Sequence, residues 1–206
     1  TDDLLTRSAQ FCRDEMAELI RKVRDRIPRA PIVVTGYYPI IAPASDLLGL
    51  ATYYQTQDIP SDENLARFIE GAAANSATFL DASTSDLAAA IDDALDARPG
   101  GPAILFVDPA FTPDNALFTP GSLLWGLTAD ATAAAGLATD LQLFPEDPQL
   151  PTRISACLKA AGAQPSLGCL YASVGHPNRQ GARRYADAVL DALQSAGALP
   201  AGADNP

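Results

Sequence analysis

His176 is the only histidine in the 206-residue chain, and imidazole is the side chain best suited to take and return a proton near neutral pH. It stands in Ser173-Val174-Gly175-His176-Pro177-Asn178-Arg179-Gln180-Gly181, where glycine and proline punctuate a turn. Pro177 has the fixed φ that suits the start of a helix, and the Asn178 side chain is the kind that caps the first free N–H groups. His176 is therefore expected in a loop held just ahead of a helix N-terminus, a common position for catalytic residues. A base of this kind serves acyl transfer if a serine lies within reach, donors face the developing oxyanion and an acid orients the ring.

The candidate partners are few. No Gly-x-Ser-x-Gly elbow occurs. Ser122 lies in Gly121-Ser122-Leu123-Leu124, in a loop with no strand before it, and Ser166 sits between Pro165 and Leu167. Asp108 directly follows an apolar run and precedes Pro109, so it either orients a histidine or starts a turn. One histidine and three scattered cysteines have no zinc-ligand spacing, and no cofactor is implied. Phosphate cradling lacks its Gly-rich loop ending in Lys-Ser or Lys-Thr. A net charge of −11 argues against nucleic acid as a partner. No run approaches the length of a membrane-spanning helix.

The elements that must position these residues read as an α/β chain. With 48% apolar and 19% charged residues it has the composition of a globular domain, and its length suits a single one over 1–206. Asp2 and Asp3 open a helix whose apolar residues, from Leu4 to Ile27, recur every three or four positions. Arg21, Lys22, Arg24 and Arg26 form its solvated basic end. Ile32-Val33-Val34 reads as a short buried strand that ends in Gly36-Tyr37-Tyr38-Pro39. That turn falls at the carboxyl edge of an open sheet, where Tyr37 and Tyr38 either line a pocket or pack.

A short helix is expected around Leu47–Tyr54, then one capped by Ser61 and another over Ser85–Ala97. Ala103–Val107 is the second strand, and helix between two apolar strands is the βαβ signature of a parallel sheet. Residues 109–151 form a long connection, expected as a lid or pocket insertion. Phe111, Phe118, Leu123, Leu124 and Trp125 either give it an apolar underside for an acyl chain or cover the core. Helices over Pro151–Ala161 and from Asn178 to Gln194 complete the chain, the last with Ala182, Tyr185, Ala186, Val189, Leu190 and Leu193 inward.

The His-Pro-Asn turn, Gly181 and the Tyr185-Ala186 pair that follows, together with Val33-Val34-Thr35-Gly36-Tyr37-Tyr38-Pro39 upstream, resemble the later part of an SGNH (GDSL-type) hydrolase, a family of serine esterases and lipases. The resemblance implies His176 as general base, with Pro177, Asn178 and Gly181 as its supporting turn. It implies a small-molecule or lipid ester as substrate, with Tyr37, Tyr38 and Trp125 as substrate-binding residues. The fold it implies is part of a doubly wound, flavodoxin-like parallel sheet in three α/β/α layers. Where the family has Gly-Asp-Ser and Gly-x-Asn-Asp this sequence has neither, and Ser173 stands in place of the family's acid. Ser173 can accept a hydrogen bond from imidazole but adds no charge to stabilise it.

The chain starts at Thr1 and its only methionine is Met16, so either a leader was removed or this is the later part of a longer protein. Two readable strands also expose sheet edges and cover little of the helices, which suits further strands upstream. Cys12, Cys157 and Cys169 leave one unpaired in any scheme. The alternatives are a Cys157–Cys169 loop with Cys12 bonded outside the chain, or three buried thiols. Family habit points to secretion.

Overall fold

The computed structural model describes residues 2–46, 49–50, 65–97, 100–126, 150–161 and 174–199. The chain forms two compact units, one of Thr1–Tyr38, Asn75–Phe111 and Arg183–Pro206, the other of Pro39–Ala74 and Thr112–Ala182.

The first unit holds the sheet. Strands β1 (Ile32–Thr35) and β2 (Ile104–Val107) pair in parallel, with Ile32 opposite Ile104 and Thr35 opposite Val107. This is the expected βαβ arrangement of an α/β fold. Among the described residues the sheet has these two strands.

The N-terminal helix is not uniform. α1 (Asp2–Ser8) passes into a π-helical stretch, Ala9–Glu15, and then into α2 (Met16–Arg26). Apolar periodicity alone does not reveal the π stretch, because both windings keep an apolar face. Its reason is tertiary. The Ser8 hydroxyl donates to Asp86 at 2.7 Å and Arg13 pairs with Asp93 at 3.0 Å. In an α-helix residues five apart point roughly 140° from each other. The wider winding of a π turn cuts that separation to roughly 50°, so both side chains reach the same neighbouring helix.

That neighbour is α3 (Leu65–Asp96), one unbroken helix of 32 residues where two were expected. No proline interrupts it. The buried Ser83 hydroxyl is satisfied by the Leu80 carbonyl within the helix rather than by capping a new one. Leu87, Ala90, Ile91 and Ala94, at i, i+3, i+4 and i+7, meet Cys12, Ala17 and Ile20 and the strand residues Val34 and Ile104. Burying each large aliphatic here contributes about 1.5–3 kcal/mol. Arg24 is a correction to the solvated basic end. It is 5% exposed and its guanidinium donates to the Gly100 carbonyl, fastening the helix end to the turn before β2.

In the second unit Leu50, Ala116, Leu117 and Leu124 are buried. Of the short helix expected around Leu47–Tyr54, Gly49 and Leu50 are helical and 51–54 lie outside the described residues. The Ser61 cap lies outside them too, as does 127–149 of the long connection. Its earlier part is ordered by its own polar groups. A 3-10 turn spans Pro113–Asn115, and Asn115 accepts from the Thr112 N–H at 3.0 Å. Thr119 donates to the Asp114 carbonyl at 2.6 Å. α4 (Leu150–Ala161) falls where a helix was expected.

α5 (Arg179–Ser195) also falls where expected, but its inward face is narrower. Ala182 and Ala186 are exposed, while Tyr185, Val189, Leu190 and Leu193 are half-buried.

Candidate functional site

In the second unit the histidine turn is pinned from two sides. On one, Asn178 caps α5: its Oδ1 accepts from the N–H groups of Gln180 and Gly181, each at 3.0 Å. On the other, residues 123–125 run antiparallel to it. Trp125 N–H donates to the His176 carbonyl at 2.7 Å, Gly175 N–H to Trp125 at 2.8 Å and Asn178 N–H to Leu123 at 2.8 Å.

Leu124 and Pro177 form the bridge between them. This is a non-hydrogen-bonded pair, so the N–H that Pro177 lacks is not missed. Gly175 has φ +81°, a conformation that a side chain would strain. The backbone of His176 is thus fixed, while its side chain is exposed and has no hydrogen-bond partner among the described residues.

This pairing brings Ser122 to the turn, since the Asn178 side chain also donates to the Ser122 carbonyl at 3.2 Å. The Ser122 hydroxyl is turned to its own backbone. It accepts from the Leu124 N–H at 3.2 Å and donates to the Leu124 carbonyl at 3.3 Å. A cavity of about 370 Å³ opens here, lined by Ser122, Trp125, Asn178, Arg179 and Gln180. Ser173 and Ser166 lie outside the described residues.

Nearby in the chain, Phe118 is held at φ +58°, a left-handed conformation rare for a bulky residue. Its carbonyl accepts from the Asp46 N–H at 2.8 Å, and Gly49 leaves room for its ring. Leu124 is buried, as a core-covering residue would be.

The first unit carries the tyrosine edge. Gly36 follows β1, and a Cβ there would lie 3.2 Å from the Phe106 ring. The Tyr185 hydroxyl donates to the Gly36 carbonyl at 2.8 Å, tying α5 to the end of the strand. Tyr38, Phe111 and Tyr185 cluster with ring centroids 5.4 to 6.1 Å apart. Arg184 lies 5.9 Å over the Phe111 ring.

Tyr38 therefore packs against two rings while staying partly exposed, and Phe111 is buried. Burial pushes both Tyr38 and Tyr185 up from the usual phenol range, with nearby Tyr38 and Asp108 adding to the rise at Tyr185. Tyr37 is 46% exposed and its ring meets that of Phe79 at a tilt, with centroids 5.1 Å apart. Asp108 accepts from the Ala110 N–H at 2.8 Å, as a turn former does.

Cys12 is a free thiol buried in the core and Cys157 is disulfide-bonded. With Cys157 in a disulfide, the alternative of three buried thiols does not hold. Cys169 lies outside the described residues. Among the described residues no cluster of His, Cys, Asp and Glu could hold a metal ion, and no helix is long and apolar enough to cross a membrane. No protein-family model, curated protein or solved structure matches the chain.

Two features escaped the sequence reading. The pairing of 123–125 with the histidine turn has no local signal, since the segments lie some fifty residues apart. The Tyr185 contact joins two stretches that motif resemblance had marked separately. A buried phenol needs a partner, and that requirement was the available clue.

Proposed function

We propose that this chain is the histidine-bearing portion of an SGNH-like serine ester hydrolase acting on small-molecule or lipid esters, with His176 as its general base. The carrying observation is that the His176 backbone is pinned by a helix cap and an antiparallel pairing while its imidazole is unengaged among the described residues. That is how a base must be presented to a nucleophile it does not itself carry. His176 takes the serine proton as the oxygen attacks the ester carbonyl, then returns it to the leaving alcohol. Water then hydrolyses the acyl-enzyme by the same relay.

Ser122, with its hydroxyl bonded to the Leu124 backbone, is not the nucleophile in this arrangement. Trp125 lines the cavity beside the histidine turn, where this reading has it meet the substrate. The architecture that accompanies this reading is a doubly wound, three-layer α/β/α sheet to which β1, α3 and β2 contribute.

The occupied Ser122 hydroxyl favours a second reading, a non-catalytic SGNH-like binding or structural module. The two separate on treating the chain, and the full-length gene product, with a fluorophosphonate and reading intact mass. A single adduct on the full-length product that is absent from its His176→Ala variant supports the hydrolase, whereas an adduct on this chain alone shows that it has its own nucleophile and overturns the portion reading. A folded full-length product that takes no adduct and turns over no simple ester supports the module. His176→Ala itself should move stability by less than about 0.5 kcal/mol, because the side chain is exposed.

A further inference from the structure

The first unit contains a cavity of about 540 Å³ that the histidine strip does not use. Its apolar wall is Leu4, Phe11, Cys12, Tyr37 and Phe79. Three of these five are aromatic. Phe11 is 51% and Tyr37 46% exposed, so two large rings stand open around a concavity when they could have been folded away. The Tyr37 and Phe79 rings meet at 57° with centroids 5.1 Å apart, leaving faces and edges for another ring.

The backbone behind this wall is the π stretch. It carries Phe11 and Cys12, and π winding is a rare form that recurs at functional sites. Apart from the Tyr37 hydroxyl, the polar side chains around the cavity are already engaged. Ser8 gives its hydroxyl proton to Asp86, and Asp3 pairs with Arg7 at 3.0 Å, both well exposed at the rim. Burial holds the Cys12 thiol in its neutral form by pushing its pKa up. The interior therefore offers ring faces, a soft sulfur and the Tyr37 phenol, with no charged group inside the rim.

We propose that this cavity is a binding site for a compact, neutral aromatic molecule, with Phe11, Tyr37 and Phe79 as its ring-contacting walls. A ligand of that class covers the exposed rings and carries no charge into the apolar interior, while a single hydroxyl on it can pair with the Tyr37 phenol. A charged ligand is disfavoured for the same reason. All the residues belong to the first unit and none is in the histidine strip; Tyr37, which the family resemblance marks for substrate binding, is assigned to this site instead.

The test is an amide chemical-shift titration of the ¹⁵N-labelled chain with 2-naphthol. Saturable shifts concentrated at residues 4–12, 37 and 79, with submillimolar affinity, are expected. Phe11→Glu should weaken binding about tenfold or more, whereas Leu19→Glu, at an equally exposed position of the same helix, should leave it unchanged. Shifts that rise linearly without saturating, or that centre elsewhere, overturn the proposal, as does equal weakening by both variants. If Phe11→Glu lost its fold, the location and saturation of the shifts in the unaltered chain would decide.

Discussion

Removing the Asn178 side chain is the sharpest test of how the histidine turn is held. Asn178→Ala deletes the acceptor for two backbone N–H groups, each at 3.0 Å, and the donor to the Ser122 carbonyl at 3.2 Å. An N-cap contributes about 1 kcal/mol and a side chain to backbone hydrogen bond about the same. The variant should therefore lose about 2 kcal/mol. With a urea dependence of about 2 kcal/mol per molar, the midpoint falls by about 1 M.

Trp125, the only tryptophan, sits on the paired strip, so its fluorescence reports the melting of this region. Asn178→Asp keeps the cap, gains a favourable interaction with the helix dipole and loses only the donor. It should fall between alanine and the natural residue. The reasoning fails if Asn178→Ala leaves the midpoint within about 0.2 M, or if aspartate is no better than alanine.

Further outcomes follow from other contacts. Gly175→Ala places a side chain at φ +81° and should cost about 1–2 kcal/mol in the same urea experiment. Ile20→Ala opens the core at a residue 2% exposed and should cost about 2–5 kcal/mol, read by the far-ultraviolet circular dichroism midpoint. Tyr185→Phe removes the bond to the Gly36 carbonyl and should cost about 1 kcal/mol at pH 8.

The pH dependence of that variant has a definite sign. The Tyr185 phenol is pushed up in the folded chain, so the folded state holds its proton more tightly than the unfolded one. Its contribution is fully present below the unfolded value near 10 and is lost as pH rises beyond it. Tyr185→Phe should therefore flatten the fall in urea midpoint between pH 9 and pH 11. An equally steep fall in the variant would show that other groups carry it.

Much of the fold is visible in local pattern. The two strands, their parallel pairing across a helix, the Asn178 cap and the last helix follow from apolar runs and capping residues. These depend on neighbours a few positions apart, so one short window of sequence holds their cause. The π stretch, the single long α3 and the burial of Arg24 are not visible in this way. Each answers to a partner far along the chain: Asp86 and Asp93 for the π turn, the core beneath Leu87–Ala94 for α3, the Gly100 carbonyl for Arg24.

The same division runs through the candidate site. Residue type alone marked His176 as the one group suited to proton transfer, and the turn chemistry of Pro177 and Asn178 placed it ahead of a helix. Tertiary structure decided that residues 123–125 lie against that turn, that the Ser122 hydroxyl is spent on its own backbone, and that Tyr38 packs while Tyr37 stays open. Backbone conformation responds to short-range sterics and hydrogen bonding, which the sequence carries position by position. The engagement or freedom of a side chain depends on which distant groups the folded chain brings within a few ångströms, and only the complete packing determines that.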